Sequence, residues 1–187
     1  MKSTERRRPV IGVMGSAVER HDTQAGAVGT WIARQGFHLL TGGGEGVMAA
    51  VSEAFAAVPD RRGLAIGVQP NAEDHPQCSP PAGYPNRWVE LAIRTHLPLS
   101  RDGTAPLSRN HINVLTADVV IALPGGPGTF SEVRLAVRYS RPCVAFVADR
   151  SQISGLPDQV RSVSTLEEVA AFVLEQVERG VTAPDDF

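Results

Sequence analysis

The sequence predicts a single α/β domain with a doubly wound parallel sheet, a Rossmann-like fold of three layers, α/β/α. Short apolar runs that read as strands alternate with longer segments of helical spacing, which is the pattern of βαβ units. Several of those runs lead directly into glycine turns, as strands do before a crossover helix. A length of 187 residues with 42% hydrophobic residues suits one full core, so we assign residues 1–187 to one domain.

The first part of the chain predicts strand–helix units after a short tail. Residues 1–9 are basic and are expected to be a flexible tail. Gly36 ends the first helical pattern, and a run of glycines separates the second strand from an alanine-rich helix. The predicted elements are strands over 10–15, 37–40 and 64–68 and helices over 24–35 and 47–57.

A proline-rich insertion, residues 70–107, interrupts this alternation. It contains seven of the 14 prolines, which disfavours helix through most of it. Residues 88–94 alternate well enough to predict one strand, and two long irregular loops remain. Such loops are either a lid over a ligand site or a solvated insertion, and the sequence leaves both open.

The alternation resumes in the last part of the chain. Ser108 is a suitable N-cap for a helix that runs to about residue 116. The segment 164–168 has the pattern of a capped helix start, and Gly180 stands near the end of that helix. The other predicted elements are strands over 118–123 and 142–147 and a helix over 130–139.

Composition excludes several classes of protein. The formal net charge of −2 disfavours a nucleic-acid partner and favours a small-molecule ligand. Among the 18 Lys and Arg residues the single lysine is Lys2, in the tail. Nucleotide-binding Walker A loops and pyridoxal phosphate enzymes both need a lysine at the site, so neither is expected.

Targeting and metal signals are weak. The apolar run after the basic start is too short for a signal peptide, and no span reaches membrane length. Cys78 and Cys143 have no CxxC spacing, and the five histidines have no ligand spacing. We therefore expect a cytoplasmic protein with no membrane partner and no metal site.

The strongest chemical signal is the turn Pro124-Gly125-Gly126-Pro127-Gly128-Thr129. A buried strand ends in this turn and a helix follows it, which brings unpaired N–H groups and the positive end of a helix dipole together. Glycines allow an anion to approach the backbone, and Thr129 adds a hydroxyl donor. This pattern predicts a phosphate site. The alternative is a capping box in which Thr129 and Glu132 satisfy each other's backbone N–H groups.

Two further turns belong to the predicted site. Gly15 and Ser16 follow the first strand, and Gly43, Gly44 and Gly46 follow the second. Because carboxyl ends of parallel strands share one edge, these turns could form further walls of the phosphate pocket. Tight helix packing explains the glycines of the second turn equally well.

Arg109 and Asn110 begin the helix one strand before the phosphate turn. From there the Arg109 side chain could reach the same crevice and offer a planar fork to phosphate or carboxylate. A surface ion pair is the alternative for this arginine.

At these residues the chain resembles the LONELY GUY family, long mislabelled as lysine decarboxylases. The signature of that family is PGGxGTxxE, which residues 124–132 match, with an arginine fifteen positions before its proline, as Arg109 stands here. The resemblance covers residues 10–147. It implies hydrolysis of the N-glycosidic bond of nucleoside 5′-monophosphates, including cytokinin ribotides, to free base and ribose 5-phosphate.

The resemblance also implies roles and partners. It makes Arg109 and Glu132 catalytic: the carboxylate would stabilise an oxocarbenium-like centre or activate water, and the arginine would steady the phosphate or departing base. No cofactor would be required, and a homodimer or higher homo-oligomer is expected. Asn110 departs from the usual Arg-Lys pair, and the Ser-Arg-Asn-x-x-Asn pattern ending at Asn113 is more similar to the molybdenum cofactor carrier branch. In that alternative the chain binds the molybdenum cofactor (molybdopterin) without turnover.

Overall fold

Seven parallel strands form one sheet in the part of the chain that the structure, a computed structural model, describes: residues 7–72, 79–99 and 103–182. The strands are β1 (Val10–Met14), β2 (His38–Thr41), β3 (Ala65–Asn71), β4 (Leu91–Pro98), β5 (Val119–Ala122), β6 (Cys143–Phe146) and β7 (Arg161–Val163). Their order across the sheet is β4-β3-β2-β1-β5-β6-β7, and every neighbouring pair is parallel.

Helices cover both faces of the sheet. They are α1 (Asp22–Gln35), α2 (Val47–Ala56), α3 (Asn110–Thr116), α4 (Pro127–Arg138) and α5 (Leu166–Thr182). Alternate residues of β1 separate the two cores: Ile11 and Val13 pack with α1, α2 and α5, whereas Val10 and Met14 pack with α3 and α4. The predicted three-layer, doubly wound fold is therefore confirmed.

The direction of winding changes at β1. Strands β2, β3 and β4 extend the sheet on one side of β1, and β5, β6 and β7 extend it on the other. In an open α/β sheet, the loops that follow the two central strands diverge at this point and leave a crevice. The carboxyl ends of β1 and β5 are thus the expected location of a ligand.

Most predicted elements are confirmed, with shifts at their ends. The helix predicted from residue 130 begins three residues earlier, at Pro127, and the strand predicted over 88–94 lies at Leu91–Pro98. Ser108 accepts a hydrogen bond from the Asn110 N–H at 3.2 Å, although Arg109 occupies the N-cap position of α3. The sequence interpretation missed β7 and a short 3-10 helix at Arg150–Gln152.

The basic tail and the proline-rich insertion were both predicted to be irregular, and parts of each are held in place by contacts with the rest of the domain. Residues 1–6 of the predicted tail lie outside the described residues, but Arg7 pairs with Asp118 at 2.6 Å, and the Pro9 carbonyl accepts the His38 N–H. In the proline-rich insertion, residues 73–78 and 100–102 also lie outside the description. Asn86 is buried; its backbone N–H donates to the Gly43 carbonyl and its side-chain amide donates to the Gly44 carbonyl. This part of the insertion is therefore attached to the sheet through the turn after β2.

Two glycines of α1 give a matched test of helix packing. A methyl group at Gly29 would overlap the Val51 carbonyl of α2, whereas at Gly26 nothing lies within 4 Å. We expect Gly29→Ala to lower the free energy of unfolding by about 1–3 kcal/mol through overpacking. Gly26→Ala should leave it unchanged or raise it by up to about 1 kcal/mol. Urea denaturation measures both, and equal effects would contradict the close approach of α1 and α2.

Candidate functional site

A cavity of about 310 Å³ opens where the sheet changes its winding direction. Its walls come from the turn after β1, the end of β2, the start of α3 and the first turns of α4. The cavity brings together eight of the predicted site residues: Gly15, Ser16, Arg109, Asn110, Gly126, Gly128, Thr129 and Glu132.

The first turn of α4 forms the polar wall of the cavity. Gly126 is the N-cap and Pro127 the first helical residue, so the N–H groups of Gly128 and Thr129 have no carbonyl four residues back within the helix. A Cβ at either Gly126 or Gly128 would meet nothing within 4 Å. The Thr129 hydroxyl is buried and has no hydrogen-bond partner. This wall presents free donors together with the positive end of a helix dipole.

Pro124 and Gly125 support this wall from behind. Neither lines the cavity. The Pro124 carbonyl accepts the Ser16 N–H at 3.0 Å, and a Cβ on Gly125 would overlap the Thr129 hydroxyl. These two residues therefore join the turn after β1 to the turn after β5.

The capping-box alternative for Thr129 and Glu132 is wrong. The helix starts at Pro127, which places Thr129 in the third helical position rather than at the N-cap. Proline favours the first helical position because it has no N–H to leave unpaired, and this moves the helix start upstream of Thr129. The Glu132 side chain is buried and accepts a hydrogen bond from Asn113 instead.

The second glycine turn serves mainly for close packing. Gly43, Gly44 and Gly46 do not line the cavity. A Cβ at Gly44 would meet the Tyr84 ring at 2.6 Å, and Gly46, with φ of +64°, packs against the Ser16 carbonyl. Of the predicted alternatives, the structure places these glycines in the packing arrangement, while their neighbour Gly42 contributes to the cavity wall.

Arg109 is buried and its side chain bridges two strand ends. Its Nη1 donates to the carbonyls of Gly42, at 2.8 Å, and Val68, at 2.5 Å. Its Nη2 donates to the Tyr84 hydroxyl at 3.4 Å, and the guanidinium carbon lies 5.4 Å from the centre of that ring. The guanidinium thus links β2 and β3 just beyond their last paired residues. Because the side chain is buried and bonded to backbone carbonyls, the surface ion-pair alternative for Arg109 is wrong. Its Nε has no partner.

Glu132 follows the polar wall by about one turn of α4, and its side chain is on the buried side of that helix. Its Oε1 accepts from Asn113 Nδ2 at 2.9 Å. Burial raises the pKa of the Glu132 carboxyl, and the Asn113 hydrogen bond and the Arg109 charge oppose this effect without cancelling it. The cavity therefore contains a carboxyl group that retains its proton more readily than an ordinary glutamate.

Four apolar or aromatic side chains also line the cavity and were missed by sequence reasoning. They are Met48, Tyr84, Leu99 and Val18, of which Tyr84 and Leu99 come from the proline-rich insertion. Val18 and Leu99 are exposed to solvent. The aromatic Tyr84 between two prolines was the available signal, but nothing local indicates that it packs on Gly44.

The raised pKa of Glu132 predicts a pH dependence of stability. Between the unfolded and the folded pKa, the folded protein holds a proton that the unfolded chain has lost, so stability falls as pH rises through that window. Glu132→Gln removes this loss and should gain stability relative to the wild type as pH rises. Urea denaturation at several pH values measures the difference, with the exposed Glu178→Gln as control. Parallel pH profiles for wild type and Glu132→Gln would contradict the assignment.

The fold and the cavity define a doubly wound α/β domain with a ligand site at its topological switch point. The chain belongs to the SLOG cluster4 family, whose model matches residues 8–173. The predicted resemblance is thereby confirmed at the level of the LONELY GUY-like superfamily.

Similar proteins come from archaea, bacteria and algae. An uncharacterized protein of Archaeoglobus fulgidus is 32% identical over 130 residues, 68% of this chain and 73% of that protein. The molybdenum cofactor binding protein of Rippkaea orientalis is 33% identical, with a TM-score of 0.68 over 94% of this chain and 99% of that one. The molybdenum cofactor carrier protein of Chlamydomonas reinhardtii is 28% identical, with a TM-score of 0.70 over 92% and 99%.

The described residues contain neither a metal-ligand cluster nor a helix that could span a membrane. No group of three or more His, Cys, Asp or Glu side chains in residues 7–72, 79–99 and 103–182 could hold a metal ion. Within the same ranges, no helix has both the length and the apolar character needed to cross a membrane.

Proposed function

We propose that this protein binds the molybdenum cofactor through its phosphate and holds it without turnover. The observation that carries the proposal is the polar wall at the start of α4, where two open glycines line one cavity together with Thr129, whose buried hydroxyl has no partner. A terminal phosphate satisfies such a set of donors better than a neutral group does, because its charge also interacts with the helix dipole.

The likeness to cofactor-binding proteins supports the choice of ligand. Two proteins described as binding or carrying the molybdenum cofactor match this chain over more than nine-tenths of its length. At 33% and 28% identity, the likeness extends beyond the fold alone. The fold by itself would not choose between ligands.

The apolar part of the cavity lining supports a contact with the organic part of the cofactor. A pterin is a flat ring system, and Tyr84, Met48 and Leu99 give the same cavity an apolar surface.

The state of Arg109 and Glu132 favours binding over hydrolysis. The Arg109 guanidinium donates to two backbone carbonyls and a tyrosine hydroxyl, which occupies three of its five N–H groups with protein contacts. Glu132 Oε1 accepts a hydrogen bond from Asn113, so this oxygen is already engaged in a protein contact.

A phosphoribohydrolase is the second candidate, and one observation favours it. Arg109 and Glu132, the two residues that the LONELY GUY resemblance makes catalytic, line the same cavity as the phosphate wall. In this candidate the nucleotide phosphate would occupy the same donors, and no cofactor would be required.

One pair of assays separates the two candidates. The purified protein is incubated with a panel of nucleoside 5′-monophosphates, and released base is followed by chromatography. In parallel, binding of isolated molybdenum cofactor is measured by fluorescence. We expect binding of the cofactor and no release of base. Release of base that disappears in Arg109→Ala and Glu132→Ala would overturn the carrier proposal.

We also propose that the protein is a homodimer or a higher homo-oligomer, as the family resemblance implies. Size-exclusion chromatography with light scattering measures the mass directly. A mass of 19.9 kDa, that of one chain, would contradict this proposal without affecting the ligand assignment.

A further inference from the structure

Asn113 has an unsatisfied acceptor in the most buried part of the site. The residue is fully buried, and its amide nitrogen donates to Glu132 Oε1 at 2.9 Å. Its own carbonyl oxygen, Oδ1, has no hydrogen-bond partner. A buried carbonyl without a donor loses its hydrogen bonds to water without replacement, so a native structure normally supplies one.

The neighbouring carboxyl group can supply the missing donor. A carboxylate offers only acceptors, whereas a neutral carboxylic acid offers one acceptor and one O–H donor. The carboxamide of Asn113 has the complementary pair, one donor and one acceptor. An acid and an amide can therefore form two hydrogen bonds side by side, of which the structure contains the first.

We propose that Glu132 rests as a neutral carboxylic acid whose O–H donates to Asn113 Oδ1, and that Asn113 is the positioning residue for this state. The proton is taken from hydronium in the solvent as the site folds: the O–H bond of the acid forms, one O–H bond of hydronium breaks, and water is released. Asn113 is the last residue of the Ser-Arg-Asn-x-x-Asn pattern. Its role in this proposal is to hydrogen-bond the acid form of Glu132.

The surroundings of Glu132 agree with a neutral group. Arg109 and Glu132 are the two charged side chains that line the cavity among the described residues, and no salt bridge within 4.0 Å joins them there. Arg109 is stabilised by the carbonyls of Gly42 and Val68 and does not need a carboxylate. Burial of Glu132 adds to the preference for the uncharged form.

A neutral Glu132 changes the charge of the cavity. The site then carries the positive charge of Arg109 with no opposing carboxylate, which favours an anionic ligand on the α4 wall. This consequence rests on the proposed function. The protonation state itself is a property of the ligand-free protein and can be tested independently of any ligand.

Infrared spectroscopy tests the proposal on the ligand-free full chain. The difference spectrum between wild type and Glu132→Gln at neutral pH should contain the carbonyl stretch of a protonated carboxylic acid. In Asn113→Leu that stretch should shift, because the acid loses its amide partner. Asn110→Leu is the matched control, since Asn110 lines the cavity without a hydrogen bond to Glu132, and it should leave the stretch in place.

A second measurement keeps the proposal testable if Asn113→Leu does not fold. Glutamine at position 132 offers the same donor and acceptor as the neutral acid, so Glu132→Gln should melt at or above the wild-type temperature at neutral pH. Bands of a carboxylate alone in the difference spectrum, or a lower melting temperature for Glu132→Gln, would overturn the proposal. Absence of cofactor binding, with the acid stretch present, would count against the proposed function only.

Discussion

Gly126→Asp is expected to abolish anion binding while it leaves the fold intact. Gly126 is the N-cap of α4, and its backbone is extended, with φ of −91°. A Cβ there meets nothing within 4 Å, so the larger residue fits without displacement. Aspartate is a favoured N-cap because its carboxylate accepts from the N–H groups of the second and third helical residues. Here those residues are Gly128 and Thr129, the proposed phosphate donors.

The introduced carboxylate competes with the ligand in two ways. It occupies the same N–H groups, and it places a negative charge beside the phosphate. Hydrogen bonds to a charged group contribute about 1.5–3 kcal/mol each, so the loss of two weakens binding by at least about 100-fold. The helix itself should be stabilised by a few tenths of a kcal/mol, because glycine is only slightly worse than aspartate at an N-cap.

Two controls separate charge from size at this position. Gly126→Ala adds a methyl group without a capping group, and Gly126→Asn adds a neutral cap of nearly the same shape. We expect the affinity to fall in the order wild type, Ala, Asn and Asp, with melting temperatures close to that of the wild type. Cofactor binding by Gly126→Asp at wild-type affinity would place the phosphate elsewhere in the cavity.

The sequence predicts the polar wall at the start of α4 because the residues that indicate it are close together in the chain. An apolar strand, three glycines, two prolines and a threonine within eleven residues determine where the strand ends and which N–H groups are exposed. The start of the helix was predicted less accurately. The Thr129–Glu132 spacing suggested a capping box, but the helix begins at Pro127 and contains no such cap. β7 was missed because three residues, Arg161–Val163, carry no recognisable apolar alternation.

The roles of the site side chains depend on contacts between distant parts of the chain. Arg109 bonds carbonyls 67 and 41 residues away, and Asn113 bonds Glu132 across two helices. Likewise, the second glycine turn has the composition of a phosphate loop, but Tyr84 and Ser16 occupy the space around it. Local patterns identify the residue types at the site. They do not determine which partner each side chain finds.

Removal of the Arg109 side chain is expected to destabilise the whole domain as well as to alter the ligand site. Arg109→Leu retains much of the apolar volume but leaves the Gly42 and Val68 carbonyls without their donor. Each buried unpaired carbonyl costs about 1–3 kcal/mol, so the loss of the donor to two of them should lower the free energy of unfolding by about 2–6 kcal/mol. Lysine should restore little of this, because a single ammonium group does not reproduce the planar fork.

Urea denaturation of Arg109→Leu, Arg109→Lys and the exposed Arg62→Ala measures this effect. Arg62→Ala should change the free energy of unfolding by no more than about 0.5 kcal/mol, as surface substitutions usually do. A purely catalytic arginine predicts a different result, in which Arg109→Leu keeps wild-type stability and loses only turnover. Since the guanidinium joins the ends of β2 and β3, we expect stability and cofactor affinity to fall together. Wild-type stability in Arg109→Leu would contradict its structural role and favour the hydrolase candidate.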